Sequence, residues 1–159
     1  MKGNDGTGNI ESRDEWKTPL WLYDLLNNQY EFEFDCCATK ENAKEFLFSE
    51  DFLSVFNVNH NSWMNPPFSK ARQMFTHFFN VIDKGVAIYR CDNMETKIWQ
   101  DIILKNADWV FLIYGRVSYV GEKGKGARFP SALVGKGLPV PKYVKGKCVK
   151  VMTEWKEKN

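Results

Sequence analysis

A short apolar run, Trp63-Met64, leads straight into Asn65-Pro66-Pro67-Phe68. Proline has no backbone N–H and fixes its φ, so two in succession end a β ladder and force the chain to turn. Trp63-Met64 therefore reads as the end of a short strand, with Asn65 just beyond it. In an open α/β sheet ligands bind at the carboxyl ends of strands, so this punctuation constrains both fold and site.

The elements around it alternate. Upstream, Thr18-Pro19 reads as a helix N-cap followed by proline at the first helical position, and Leu22, Leu25, Leu26 and Tyr30 supply a helical stripe. Phe32, Phe34 and Cys36 alternate with Glu31, Glu33 and Asp35, the pattern of a strand. The stretch from Lys40 to Phe46 is compatible with a short helix. Downstream, Lys70 to Lys84 has helical spacing through Met74, Phe75, Phe78, Phe79 and Ile82, with Gly85 as the stop. Val86 to Tyr89 reads as a buried strand, Asn93 as a candidate cap for a helix through Leu104, and Trp109 to Tyr114 as another strand. Val117 to Val120 and Ser131 to Val134 flank a loop rich in Gly and Lys, and Val140 to Met152 adds a strand or two. The alternation predicts an α/β fold with a mostly parallel sheet, closed by an antiparallel C-terminal hairpin. Asp35 and Asn65 both fall at strand ends and would share one crevice.

The chain has 159 residues, 43% of them hydrophobic, which suits one domain with one core. We assign it to residues 13–152, with 1–12 as a disordered N-terminal tail and 153–159 as a flexible C-terminal tail. Of the 12 Phe, 6 Trp and 6 Tyr, most belong in the core, and some suit stacking against bases or a cofactor adenine. No apolar run reaches the roughly 20 residues of a membrane helix, and the N-terminus is polar with no hydrophobic signal segment. The expectation is a cytoplasmic protein without a membrane partner. Cys36, Cys37, Cys91 and Cys148 form no C-x-x-C pair, and only His60 and His77 could join them. Reduced thiols and no metal site follow. Residues 1–80 carry 7 basic and 12 acidic side chains, residues 81–159 carry 15 and 8. The basic half suits a polyanion or is simply a solubilising, lysine-rich tail.

Asn65-Pro66-Pro67-Phe68 is the sharpest chemical signal. The exocyclic N6 amine of adenine is a poor nucleophile because its lone pair is delocalised into the ring. Two acceptors aimed at its two N–H bonds, the Asn65 side-chain oxygen and the rigidly held Pro66 carbonyl, would localise that pair. Phe68 would stack on the base, worth about 1–3 kcal/mol. This is catalysis by positioning and electrostatic preorganisation. The bland alternative is a proline turn with Phe68 in the core.

In order and spacing, the chain resembles the small phage and prophage DNA N-6-adenine methyltransferase family, the phage Dam-like group. The resemblance rests on Trp16-Lys17-Thr18-Pro19, Phe34-Asp35-Cys36-Cys37-Ala38, Glu41-Asn42-Ala43 and Trp63-Met64-Asn65-Pro66-Pro67-Phe68-Ser69. Arg90, Asp92, Trp99, Gly115-Arg116 and Phe129-Pro130-Ser131-Ala132-Leu133 extend it. It implies a Rossmann-like class I methyltransferase fold with S-adenosylmethionine as donor. Asn65, Pro66, Pro67 and Phe68 would be catalytic. Trp16, Thr18 and Pro19 would border the donor's methionine end, with Asp35, Cys36, Ala38 and Asn65 completing the cofactor site. The broader class has a G-x-G after the first strand, which this chain lacks. It also carries Asn and Phe where many amine methyltransferases carry Asp and Tyr. Asn still offers an acceptor and Phe still stacks.

Ser69, Arg90, Arg116, Lys123, Lys125 and Arg128 are candidate DNA contacts, although Arg90 and Asp92 also read as an ordinary ion pair and the Gly-rich loop as merely solvated. Trp99 reads as core. Cys36 and Cys37 are not nucleophiles of the cytosine-C5 type, which need a Pro-Cys pair. A base inside a duplex must leave the stack to reach such a pocket, costing a few kcal/mol. With no separate recognition domain, the chain reads few bases or depends on a partner or a homodimer. The alternatives are amine methylation of cytosine N4, RNA or a glutamine side chain, or a non-catalytic nucleic-acid-binding module.

Overall fold

A computed structural model describes residues 16–39, 41–45, 47–121 and 126–151. The tails expected at 1–12 and 153–159, and Lys123 and Lys125, lie outside them. Among the described residues there are three helices and seven strands, beginning with α1 Leu20–Tyr30, β1 Phe34–Asp35, β2 Leu47–Phe48, β3 Ser62–Met64, α2 Ala71–Val81 and β4 Gly85–Arg90. A π-helical stretch, Ile98–Ile103, runs into α3 Leu104–Asn106, followed by β5 Trp109–Ser118, β6 Arg128–Lys136 and β7 Gly146–Val151. Short 3-10 turns cover Phe52–Ser54 and Phe68–Lys70.

The strands form one mixed sheet in the order β2-β1-β3-β4-β6-β5-β7. β2, β1, β3 and β4 pair in parallel. β6 then runs antiparallel to both β4 and β5, and β7 antiparallel to β5. The expectation of a mostly parallel sheet is thus corrected: the second half pairs antiparallel throughout. The β5–β6 hairpin docks through its returning strand, and β7 adds a further antiparallel edge.

The core lies on both faces. β4 reads as a continuous apolar run because both its sides are covered. Val86 and Ile88 join Leu22, Tyr23, Leu26, Trp63 and Trp109 on the α1 face. Ala87 and Tyr89 join Met74, Phe75, Phe78, Trp99 and Ile103 on the α2 face. Burying each large side chain contributes roughly 1.5–3 kcal/mol. Gly85 is the first residue of β4 rather than a helix stop. The helix ends at Val81, and a Cβ on Gly85 would crowd Ile82 and Phe78.

Three local expectations change. Pro19, not Thr18, is the N-cap of α1, and no side chain caps it. Asn93 accepts from Thr96 through its backbone carbonyl while its side-chain oxygen stays buried without a partner. The described residues between Lys40 and Phe46 are turns, not helix. The cause is Asp35, whose Oδ2 accepts the Lys44 N–H at 2.9 Å and so takes a backbone donor that a helix would have used.

Candidate active site

β1, β3 and β4 run in the same direction and end at Asp35, Met64 and Arg90. Their carboxyl ends therefore bring Asp35, the tetrapeptide and Arg90 to one edge of the sheet. Trp16 to Thr18 reach the same edge because Lys17 exchanges two backbone hydrogen bonds with Val120, at 2.8 and 2.9 Å, beyond the end of β5.

The Asn65 Nδ2 donates to the Trp16 carbonyl at 3.1 Å. A carbonyl oxygen can face only the NH2 end of an amide, so this bond fixes which way the side chain points and leaves Oδ1 to accept. Asn65 is half-buried and lines two adjoining cavities. The larger, about 220 Å3, is bounded by Ala38, Thr39, Glu50, Phe52, Pro67 and Lys70, among others. The smaller, about 40 Å3, is bounded by Trp16, Lys17, Thr18, Asp35, Lys44 and Trp63, and the two share Cys37, Asn42 and Asn65. Beyond it a third cavity of about 490 Å3 shares Lys17, Thr18, Asn42 and Lys44 and adds the carboxylates of Asp24, Glu41 and Glu45. The result is one cleft with Asn65 at its centre, Phe52, Glu50 and Lys70 at one end, and Lys17, Lys44 and three carboxylates at the other.

Two buried polar groups shape it. The Thr18 hydroxyl is buried without a hydrogen-bond partner. Such a group is costly unless something else satisfies it. Asp35 is also buried, and its oxygens accept the Cys37 N–H at 3.4 Å and the Lys44 N–H at 2.9 Å. Thr39 N–H to Asn42 Oδ1 at 2.7 Å and Ala38 N–H to the Ser49 carbonyl at 3.0 Å complete the scaffold. A carboxylate and an amide thus hold the loop that follows β1.

Burial raises the Asp35 carboxyl from 3.8 to about 6, although its two backbone donors pull the other way. Folding therefore disfavours its ionised form. The stability it contributes is complete below about pH 4 and lost as pH rises through about 6. Urea melts of the wild type and Asp35→Asn between pH 4 and 8 are expected to show it. Stability relative to the variant should fall by about 2–3 kcal/mol across that window, then stay level. A difference independent of pH would contradict the assignment. Burial likewise lowers the Lys44 ammonium, partly offset by Asp35, and pushes the Cys36 and Cys37 thiols up. All four cysteines are free.

Phe68 is half-buried among Trp16, Tyr89 and Phe129, with ring centroids at 5.9, 5.8 and 5.5 Å. Arg90 lies over it and is bound bidentately by Asp92, at 2.7 and 2.6 Å. The Cys36 side chain points into the core, and Pro19 is buried at the start of α1. Ser69 is exposed and borders an open groove with Arg72 and Gln73 that meets the cleft at Lys70. Arg116 and Arg128 are exposed on the β5–β6 hairpin, where Arg116 Nη1 donates to the Arg128 carbonyl at 3.4 Å. The sequence reading missed Lys44, Glu50, Phe52 and Asn42. Asn42 alone carried a signal, as part of Glu41-Asn42-Ala43.

Among the described residues no helix is long and apolar enough to cross a membrane. No curated protein matches the chain. The family model described as DNA N-6-adenine-methyltransferase (Dam) matches residues 6–136, which take in the whole of this cleft and all of β1 to β6, and the chain belongs to that family.

Proposed function

We propose that the protein transfers a methyl group from S-adenosylmethionine to the N6 amine of an adenine rotated out of the DNA stack, on a Rossmann-like class I methyltransferase fold. The observation that carries the reading is the oriented Asn65 amide, tied through Nδ2 to Trp16 in a half-buried position on the cleft wall. Its Oδ1 accepts one N6–H and the Pro66 carbonyl the other, drawing the amine towards a tetrahedral form. Phe68 stacks on the base. When bound, the donor supplies an electrophilic methyl group on a sulfonium sulfur.

The cleft fits such a donor. The unpartnered Thr18 hydroxyl and Lys44, with the carboxylates that line the same end, suit an amino-acid end that carries both charges. Ala38, Thr39, Glu50 and Phe52 suit the nucleoside end, with Glu50 accepting from the ribose hydroxyls. A charge-assisted hydrogen bond contributes about 1.5–3 kcal/mol. Lys44→Ala is therefore expected to weaken S-adenosylhomocysteine about 10–100-fold by calorimetry. Affinity for 5′-methylthioadenosine, which lacks the amino-acid end, should not change. Equal losses for both would remove Lys44 from this role.

Ser69, Arg116 and Arg128 are assigned to the DNA, together with Lys123 and Lys125, and a homodimer or partner would supply further sequence reading. Residues 13–152 act as one unit in the cytoplasm. Long-read methylome sequencing of a methylation-deficient host carrying the gene tests the whole reading. N6-methyladenine is expected with the wild type and not with Asn65→Ala. Its absence from cells that make soluble protein able to bind S-adenosylhomocysteine would overturn the adenine assignment.

A further inference from the structure

We infer that Arg90, locked by Asp92, is a positioning residue that holds the Phe68 ring in place for the target base rather than a contact to DNA phosphate. The inference rests on the proposed role of Phe68. Arg90 is anchored at both ends. As the last residue of β4 it pairs with Ser131 of β6, and its carbonyl accepts the Trp99 indole N–H at 3.1 Å. At its head, Nε and Nη2 donate to the two oxygens of Asp92. Between these anchors the guanidinium lies 5.6 Å from the Phe68 centroid and 5.0 Å from that of Phe129. The two rings are themselves 5.5 Å apart. A cation over an aromatic face is attracted to the ring quadrupole, and the planar fork adds a stacking surface that an ammonium lacks.

A bidentate grip on phosphate through Nε and Nη2 needs that edge of the fork free, because the same pair of parallel N–H bonds also grips carboxylate. Here the side chain is only 17% exposed and that pair is occupied. Arg90 in turn holds the Asp92 carboxyl below its usual range, so the clamp stays charged at neutral pH. The arrangement also accounts for Trp99, which is fully buried and whose one polar atom fixes the backbone from which Arg90 springs.

The test uses the full chain with Arg90→Ala, Arg90→Lys and the milder Asp92→Asn, each alone and in a Phe68→Leu background. Initial rates of labelled-methyl transfer to unmethylated plasmid DNA give kcat and KM, and calorimetry gives S-adenosylhomocysteine affinity. 4-Fluorophenylalanine in place of Phe68 reports the ring directly by 19F NMR. The single variants should lower kcat about tenfold, move the fluorine resonance and leave S-adenosylhomocysteine affinity within twofold. Arg90→Lys should not rescue. In the Phe68→Leu background, Arg90→Ala should cost less than a further twofold. A full tenfold loss in that background overturns the inference. So does a raised KM with unchanged kcat and a shallower salt dependence, the signature of a lost phosphate contact. If the wild type binds S-adenosylhomocysteine but methylates no DNA, the functional reading fails. The fluorine shift then decides the clamp by itself.

Discussion

Asn65→Ala is expected to lower kcat for DNA methylation at least 100–1000-fold, far more than it weakens S-adenosylhomocysteine binding. Removing a single preorganised hydrogen-bonding group of this kind costs about 2.7–4 kcal/mol of transition-state stabilisation. The reason lies in Asn65's partner. Its Nδ2 is held by the Trp16 carbonyl, so Oδ1 is aimed before a base arrives. Asn65→Asp makes the sharper comparison. The substitution keeps the shape and strengthens the acceptor, yet it sets a carboxylate oxygen against a carbonyl oxygen. That repulsion should displace the Trp16 segment, lowering both kcat and thermal stability. Single-turnover rates with melting curves check both variants. Near-wild-type transfer by Asn65→Ala would remove Asn65 from the chemistry.

The second large effect concerns stability. Gly135 lies in β6 opposite Trp109 of β5, and a Cβ there would overlap the Trp109 indole. That indole is 3% exposed and donates to the Leu138 carbonyl at 2.7 Å, so it cannot move without losing burial and a hydrogen bond. Overpacking of this kind costs about 1–3 kcal/mol or more. Gly135→Ala should lower Tm by about 6–12 °C, the shift that roughly 3 kcal/mol gives a domain of this size. Gly115→Ala is the control. Gly115 has φ +74° but open space around its α-carbon, so only backbone strain of about 1–2 kcal/mol applies. A Gly135 variant no less stable than the Gly115 variant would show that Trp109 is not fixed as described.

These two glycines also show what the sequence could reveal. Nothing local distinguishes them. One is set by a strand partner 26 positions away, the other by a register shift in β5 between Leu112 and Arg116. By contrast, β3 and α2 were legible because their signals are local: a double proline after an apolar pair, and an amphipathic run of Met74, Phe75 and Phe78. The Lys40 to Phe46 segment misled because Asp35 competes for its backbone. Thr18 misled because it has the composition of a cap, yet its hydroxyl is buried without a partner and Pro19 takes the cap position. Glu50 and Phe52 were invisible because β2, which delivers them, is only two residues long and leaves no periodicity. The interposition of β6 between β4 and β5 was unreadable too, since pairing partners leave no mark in a single strand.

The pair of hydrogen bonds between Lys17 and Val120 has an energetic corollary. Trp16, whose carbonyl orients Asn65, and Thr18, which borders the proposed donor site, are thereby yoked to Val120, two residues past the end of β5 in the arginine-bearing hairpin. If nucleic acid draws that segment to a position in which the donor binds differently, the two affinities become linked. Reciprocity then requires the donor to alter the grip on nucleic acid by the same factor, so the order in which the two ligands arrive would leave the total unchanged.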